Sequence, residues 1–301
     1  MALRLLTPMA RILLALQALL VLTGGAVRLT GSGMGCPTWP ECTTDSYTPV
    51  PGQAEGAFHA WIEFGNRLLT FGLGGAALIV LILVMNTTRK DLRLLALSQI
   101  GGIFAQVILG GITVLTHLNP LAVASHFLLS TLLIAAAYTL VIRINRPKLE
   151  VARISPLLQV HTALAFAVIV AGTLLTGAGP HAGDVDAPRL EIRIPILAAL
   201  HGFLVIALIL LTLVIIYRAV TDSNEVLQRS IFTFLAICLA QGLIGYVQYL
   251  QGVPQLLVAA HLLGSTILWI SACRVRATQY YQFPIKNAER RTEIKREQVA
   301  L

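Results

Sequence analysis

The distribution of apolar residues along the chain predicts eight membrane-spanning helices. Each of eight apolar runs is long enough to cross about 30 Å of hydrocarbon at about 1.5 Å per residue. The runs cover roughly residues 9–28, 58–85, 93–116, 121–142, 156–177, 195–217, 229–250 and 255–273. We therefore predict an all-α membrane protein with eight transmembrane helices.

One stretch of this pattern occurs twice. Residues 105–131 and 240–266 align without a gap at an offset of 135, and 11 of the 27 positions are identical, which indicates an internal repeat. The identities include polar pairs that an apolar helix does not require: Gln106 with Gln241, His126 with His261, Ser130 with Ser265, and Thr131 with Thr266. Four helices per repeat is an even number, so both halves have the same orientation. The pattern predicts two pseudo-symmetric four-helix bundles.

The two halves differ in the loop after their first helix. Residues 29–33 resemble residues 175–179, and the first outer loop, 31–57, is 11 residues longer than its partner. We predict an N-terminal half at 1–145, a C-terminal half at 146–276 and a charged cytoplasmic tail at 277–301.

Composition and charge support a membrane protein and set its orientation. The chain is 56% hydrophobic and 12% charged, with a mean hydropathy of +0.78, which excludes an ordinary soluble domain. The net charge of +8 does not indicate nucleic-acid binding, because the basic residues lie in short loops beside apolar runs. They include Arg89, Lys90, Arg93, Arg143, Arg146, Lys148, Arg153, Arg218 and Arg229. By the positive-inside rule, these loops and both termini are cytoplasmic in a multi-pass protein of the cell membrane.

Three histidines lie at one predicted depth. Each follows, by six or seven residues, a proline at the outer end of its helix: Pro120 before His126, Pro195 before His201, and Pro254 before His261. The imidazoles then lie roughly 9–10 Å below the outer surface. Because helices 6 and 8 run in the same direction, His201 and His261 are placed to ligate one haem iron from both faces. The alternative is that the histidines only form hydrogen bonds between helices.

Helix 2 has one polar face. Glu63, Asn66, Arg67 and Thr70 follow the spacing i, i+3, i+4 and i+7. A membrane-embedded carboxylate about one turn above the predicted haem level suits proton transfer. Arg67 can pair with Glu63 or with a haem propionate, and a purely structural Glu63–Arg67 pair is the alternative to catalysis.

Two of the four cysteines lie in the long outer loop. Cys36 and Cys42 are on the predicted oxidising side, so we expect a disulfide between them. A structural role alone remains open, whereas a metal site is disfavoured because no second cysteine pair accompanies them. Cys238 and Cys273 lie in apolar runs and are interpreted as core residues.

Taken together, these features resemble the haem A synthase family over residues 10–275. The resemblance rests on GGAVRLTGSGMGCPTWPEC after helix 1, on IEFGNR in helix 2, and on the histidines of helices 4, 6 and 8. It implies that a ring methyl group of haem O is oxidised to the formyl group of haem A by two successive hydroxylations. It also implies a haem b in the C-terminal half for electron transfer.

The resemblance also implies roles for individual residues and partners. Glu63 matches the family's catalytic carboxylate, and His201 and His261 match the ligands of haem b. His126 would bind the substrate haem, Asn66 and Arg67 would support the substrate site, and the family's cysteine pair falls on Cys36 and Cys42. The expected partners are haem O, membrane lipid, haem O synthase, terminal oxidase assembly factors and an unidentified electron donor or acceptor.

One position departs from the family motif Glu-x-x-His-Arg. Its histidine is Asn66 here, a poor iron ligand, although the internal repeat aligns this position with His201. The N-terminal site therefore keeps His126 as its one clear axial donor. Either the substrate haem is held by one histidine, or His59 moves in, or the histidine was replaced for another reason.

Two other classes of protein explain part of the pattern. A two-haem electron-transfer protein of the cytochrome-b type explains the histidines but leaves Glu63 and the cysteine loop without a task. A transporter with parallel repeats would use the histidines as proton relays. Its helices should be broken near the midplane, whereas the prolines of this chain cluster at helix ends.

Overall fold

The computed structural model describes residues 2–145 and 155–281, and within them it contains eight helices long and apolar enough to cross a membrane. They are α1 (Ala2–Leu29), α2 (Ala57–Met85), α3 (Arg93–Leu115), α4 (Pro120–Ile144), α5 (Pro156–Ala178), α6 (Ile194–Thr221), α7 (Glu225–Leu250) and α8 (Gln255–Ala277). The predicted all-α fold with eight spans is confirmed. Arg146, Lys148, Arg153, the predicted boundary between the halves and most of the predicted tail 277–301 lie outside the described residues.

Helix starts follow from local sequence. Proline occupies the first turn of α4, α5 and α6, where its missing N–H removes a donor that would have no helical acceptor. Asn119 caps α4 by accepting a hydrogen bond from Leu121 N at 3.0 Å, and Asn224 caps α7 by accepting from Leu227 N at 3.2 Å. The described helices are continuous, and the starting prolines of α4, α5 and α6 lie at the ends as expected, whereas Pro8 lies inside α1.

Each half is a closed ring of four helices. In the first half α1 packs on α2 and α4, and α3 packs on both of these; in the second half α5, α6, α7 and α8 repeat this arrangement. The diagonal pairs, α2 with α4 and α6 with α8, make no backbone contact within the described parts of the chain. The centre of each ring is therefore bordered by the two helices that carry the polar residues predicted above.

The two rings meet along α1, α4, α5 and α8. Inside this seam, the indole nitrogen of Trp269 donates to the carbonyl of Thr131 at 2.7 Å. At the outer loops, Gly33 N donates to the carbonyl of Gly183 at 2.8 Å. Arg28 donates to the carbonyl of His181 there as well. The seam thus combines apolar packing with hydrogen bonds at two depths.

The loops sort into two ends of the bundle. At the end we call the basic end, Arg89 donates to the carbonyl of Arg143 at 2.8 Å, which joins the loop after α2 to the end of α4. At the same end, Thr7 of α1 donates to Asn145 at 3.1 Å. The long loop with Cys36 and Cys42 lies at the opposite end, which we call the cysteine-loop end. That the basic end faces the cytoplasm stays a prediction from the distribution of charge.

Candidate functional site

A buried ion pair lies near the cysteine-loop end of α2. Glu63 is only 6% exposed, and Arg67 follows it by one helical turn. Two guanidinium nitrogens of Arg67, Nη2 and Nε, lie 2.5 and 3.1 Å from Glu63 Oε1. A carboxylate buried this deeply needs such a partner, because its desolvation would otherwise be very costly.

The cysteine loop closes over this pair. Cys36 N donates to Glu63 Oε2 at 2.7 Å, so both carboxylate oxygens accept hydrogen bonds. Arg67 donates to three loop carbonyls: Cys36 at 2.9 Å, Thr38 at 3.2 Å and Glu41 at 3.1 Å. Of the two partners expected for Arg67, the structure shows Glu63, together with loop carbonyls. The arginine therefore holds the loop in place above the carboxylate.

Within this loop, Cys36 and Cys42 are fully buried, with their sulfur atoms at a disulfide distance of 2.02 Å. Trp39, which sequence reasoning did not single out, packs its ring against Gly111 of α3. A Cβ at Gly111 would lie 2.6 Å from that ring, so the indole occupies the space of a side chain. The sequence offered one indication of this packing role, because Trp39 lies between two prolines within the loop that the two cysteines enclose.

Asn66 lies one turn deeper than Glu63 on α2. Its side-chain Oδ1 is 2.7 Å from the hydroxyl of Thr23 on α1. A hydroxyl donates to an amide oxygen, so the Asn66 Nδ2 group keeps both of its N–H donors for another partner. Asn66 thus contributes hydrogen-bond donors to the ring of the N-terminal half.

Across the same ring, His126 is positioned by α3. Gln106 Nε2 donates to the backbone carbonyl of His126 at 3.0 Å, and His126 Nδ1 is buried without a hydrogen-bond partner among the described residues. His59, the candidate substitute ligand, lies about two turns outward from Asn66 on α2. Its Nδ1 is 2.9 Å from the hydroxyl of Ser32 in the outer loop. The structure therefore shows His59 engaged with the loop.

In the C-terminal half, His201 lies on α6 and His261 on α8, the two helices that face each other diagonally across the ring. His201 Nδ1 lies 3.0 Å from the carbonyl of Val168, which can only accept, so Nδ1 carries the proton. In a neutral imidazole this leaves the Nε2 lone pair free, the arrangement typical of a metal-ligating histidine.

Each of the three histidine rings packs against a glycine of the neighbouring helix. A Cβ at Gly172, Gly245 or Gly110 would lie 3.1, 3.0 or 3.5 Å from Cε1 of His201, His261 or His126, respectively. The first two distances are shorter than an ordinary carbon–carbon contact. A side chain at Gly172 or Gly245 would thus displace the neighbouring imidazole.

The local structure around His261 matches that around His126. Gln241 Nε2 donates to the carbonyl of His261 at 2.8 Å, as Gln106 does to His126. The turns that precede α4 and α8 also share a left-handed backbone at equivalent positions. The φ values are 51° and 61° at His117 and Leu118, and 72° and 63° at Gly252 and Val253.

His161 has the contacts of a residue that stabilises the fold and not those of an iron ligand. It is fully buried in the C-terminal half, with Nε2 3.2 Å from the hydroxyl of Thr212 and its ring edge-on to Phe234. The Thr212 hydroxyl donates to the carbonyl of Leu208, so it accepts from His161 Nε2–H. Its Nε2 is therefore occupied, in contrast to that of His201.

The donor sets fit a haem better than a bare metal ion. The described residues contain no group of three or more His, Cys, Asp or Glu side chains that could hold a metal ion. A macrocycle supplies four nitrogens itself and needs only one or two axial ligands from the protein. The diagonal helices of the C-terminal ring carry two imidazoles, whereas those of the N-terminal ring carry the His126 imidazole and the Asn66 amide.

Comparison with known proteins is consistent with this geometry. The family model described as cytochrome oxidase assembly protein, COX15-CtaA, matches residues 9–182. The heme A synthase of Shewanella oneidensis is 33% identical over 161 residues, which cover 49% of this chain and 48% of that protein. The heme A synthase of Lysinibacillus sphaericus is 34% identical over 38% of this chain and 37% of its own length. That of Geobacillus thermodenitrificans is 30% identical over 42% of this chain and 39% of its own length. The chain thus spans about half the length, or less, of the curated relatives it matches.

Proposed function

The chain belongs to the COX15-CtaA family of cytochrome oxidase assembly proteins, and we propose that it is a haem A synthase. In this proposal it oxidises a ring methyl group of haem O to the formyl group of haem A by two successive hydroxylations. The family match ends at residue 182, before α6, so the proposal for the C-terminal half rests on the geometry of that half.

The observation that carries the proposal is the buried Glu63–Arg67 pair beneath the cysteine loop, in the half that the family match covers. A simple electron carrier has no role for a carboxylate that is buried, hydrogen-bonded through both oxygens and covered by a loop, and a transporter would place such a carboxylate near the midplane and not beneath an outer loop. The curated relatives at 29–34% identity are also heme A synthases.

The residues around the substrate have distinct tasks in this proposal. When bound, haem O supplies the iron and the methyl group at which oxidation takes place. His126 on α4 would hold the iron of the bound haem O. Glu63 takes up a proton released as the methyl group is oxidised, and Arg67 is a positioning residue that holds the carboxylate and the loop together. The loop over Glu63 limits the access of water to this end of the ring.

We further propose that the C-terminal ring binds haem b between His201 and His261. Held by two imidazoles, this haem would supply electron transfer without ligand exchange. The protein would lie in the cell membrane with both termini in the cytoplasm and take electrons from, or pass them to, a partner of unidentified chemistry. Haem O synthase and terminal oxidase assembly factors are proposed neighbours in the same membrane.

The direct test is to identify the haems that the protein makes. The chain is expressed together with a haem O synthase in cells without haem A, and the extracted pigments are separated and identified by mass. Haem A is expected with this chain and haem O alone with an empty vector. Haem O and haem b without any haem A or alcohol intermediate would favour the cytochrome-type carrier and exclude the synthase.

The two rings should bind haem with different spin states. Asn66 is held by Thr23 and is a poor ligand, so iron bound to His126 should be high-spin or mixed-spin, with product released readily. Asn66→His is expected to convert this haem to a low-spin form and to slow product release, as seen by electron paramagnetic resonance and by single-turnover extraction. If both haems of the unmodified protein are already low-spin, another residue, His59 first, supplies the missing ligand.

The sulfur atoms of Cys36 and Cys42 are expected to be covalently joined in the mature protein. Their distance and their place at the predicted outer end both favour a disulfide. Alkylation without reduction, followed by mass spectrometry, should leave both cysteines unmodified and label them only after reduction. Cys238 and Cys273 are free cysteines buried in the helices. After denaturation they should be alkylated without reduction, so they serve as the positive control for labelling. Free thiols at Cys36 and Cys42 in fresh protein would contradict the pairing or the proposed topology.

A further inference from the structure

A polar pocket lies at the basic end of the bundle, at the opposite ends of α4 and α8 from their histidines. Its volume is about 320 Å³, and helices α4, α7 and α8 surround it. The polar residues that line it are Tyr138, Glu225, Arg229, Ser230, Arg274 and Thr278. We call it the basic-end pocket, and none of its residues belongs to the haem sites proposed above.

The charge of the basic-end pocket is only partly compensated. Arg229 lies 3.4 Å from Glu225, but the two side chains are 80% and 78% exposed, so this ion pair contributes little. Arg274 takes part in none of the ion pairs that the described residues form. Two guanidinium groups and one exposed carboxylate leave net positive charge in the pocket.

Ser230 provides a second and independent indication of a ligand. It is only 3% exposed, it lines the pocket, and its hydroxyl has no hydrogen-bond partner among the residues described here. Thr278, by contrast, already donates its hydroxyl proton to the carbonyl of Val275 at 2.7 Å. Because the Ser230 hydroxyl borders the pocket and has no protein partner, it can donate to an acceptor atom inside the pocket.

We propose that the basic-end pocket binds the phosphate group of an anionic phospholipid. Guanidinium groups bind phosphate oxygens through charge-assisted hydrogen bonds, and the Ser230 hydroxyl would donate to another oxygen of the same group. Basic pockets between transmembrane helices on the cytoplasmic side typically hold anionic headgroups, and the basic end is the predicted cytoplasmic end.

A lipid fits this position better than a soluble phosphate. The pocket opens at the ends of three membrane-spanning helices, and a smaller pocket of about 20 Å³ shares Tyr138 with it. Ala135, Ile142 and Cys273 line this second pocket together with the polar Thr139 and Arg276, which adds a further basic residue beside the basic-end pocket. A phosphate with an attached glyceride would place its charged part in the basic-end pocket and its acyl chains in the surrounding bilayer.

The choice of ligand is tested on the full-length protein in neutral detergent by native mass spectrometry. The protein is titrated separately with phosphatidylglycerol, phosphatidylcholine and inorganic phosphate. Saturable binding of phosphatidylglycerol, with little binding of the other two at equal concentration, is expected. Equal binding of phosphatidylcholine would overturn the role of charge, and equal binding of inorganic phosphate would overturn the lipid as the source.

Variants then locate the lipid. Arg274→Gln should weaken phosphatidylglycerol binding about fivefold, since a basic residue near an anionic headgroup contributes a factor of that order. Arg274→Lys should retain most of the affinity, and Ser230→Ala should weaken binding without a change of charge. Arg218→Gln, at an exposed arginine of the same end outside the pocket, is the matched control.

Two outcomes would overturn the location. One is unchanged affinity in both Arg274→Gln and Ser230→Ala, and the other is an equal loss in Arg218→Gln. If Arg274→Gln fails to fold, Ser230→Ala still decides the test, because it removes one hydroxyl from a site that keeps its charges. Lipid binding is measured without turnover, so its failure is distinct from a failure of the proposed synthase activity.

Discussion

Glu63→Gln is expected to stop the oxidation of haem O while the haem b spectrum is retained. A positioned acid or base typically contributes about 100-fold or more to a rate, so haem O or its alcohol should accumulate in place of haem A. Glutamine keeps the shape of the side chain and one acceptor oxygen, and Arg67 keeps its three bonds to loop carbonyls. The loop should therefore stay closed. The measurement is the ratio of haem O, alcohol and haem A in extracts, with haem b as internal reference.

Glutamine is preferable to alanine here for an energetic reason. Either substitution removes the negative charge beside Arg67, which costs about 3–5 kcal/mol for a buried pair. Glutamine still accepts one hydrogen bond and fills the same volume, whereas alanine does neither, so glutamine is the less destabilising change. Glu55→Gln is the matched control, because Glu55 lies near the same loop but accepts a hydrogen bond from Gln53 at 3.2 Å instead of forming the buried pair. A normal yield of haem A from Glu63→Gln would exclude this residue as the proton acceptor.

Replacing His201 or His261 by alanine is expected to abolish the low-spin haem b signal. Each imidazole would supply one of two axial bonds, so either single variant should leave a five-coordinate haem or none. The optical spectrum and electron paramagnetic resonance of the purified variants measure this loss directly. His161→Ala is the control, since His161 is buried in the same half but bonded to Thr212. If both single variants keep a full six-coordinate spectrum, the pair does not ligate haem b.

Gly245, which contacts the His261 ring, allows a milder substitution that tests the same iron ligand. Gly245→Ala would place a Cβ 3.0 Å from Cε1 of His261 and should tilt or displace the ring. Because groups that orient a ligand typically affect metal affinity about 10-fold or more, haem b occupancy should fall measurably. Gly242→Ala on the same helix meets nothing within 4 Å and should leave the haem unchanged. Equal spectra for both variants would mean that the ring is not held by this contact.

Part of the site was accessible from sequence because helical geometry is fixed. A rise of about 1.5 Å per residue converts the distance from a helix-starting proline into depth, which placed His126, His201 and His261 at one level. The same periodicity placed Glu63 and Arg67 one turn apart, and the structure shows them in contact. Trp39 was not identified, because its contact with Gly111 joins an irregular loop to another helix.

The number of helices, most of their ends and the polar residues on them were determined by the sequence alone, whereas α1 begins at Ala2 and not at the predicted residue 9. The physical reason is that the thickness of the bilayer sets the length of an apolar run, while prolines and asparagine caps set where α4, α5, α6 and α7 begin. The tertiary structure alone decided which helices lie diagonally across each ring. It also decided three contacts: Cys36 and Arg67 close the loop over Glu63, Thr23 holds Asn66, and Ser230 lines a pocket with Arg274. These contacts depend on the rotation of each helix about its axis. An apolar helix carries little information about that rotation, because lipid and protein interior are similarly apolar and the final orientation comes from close packing and a few hydrogen bonds.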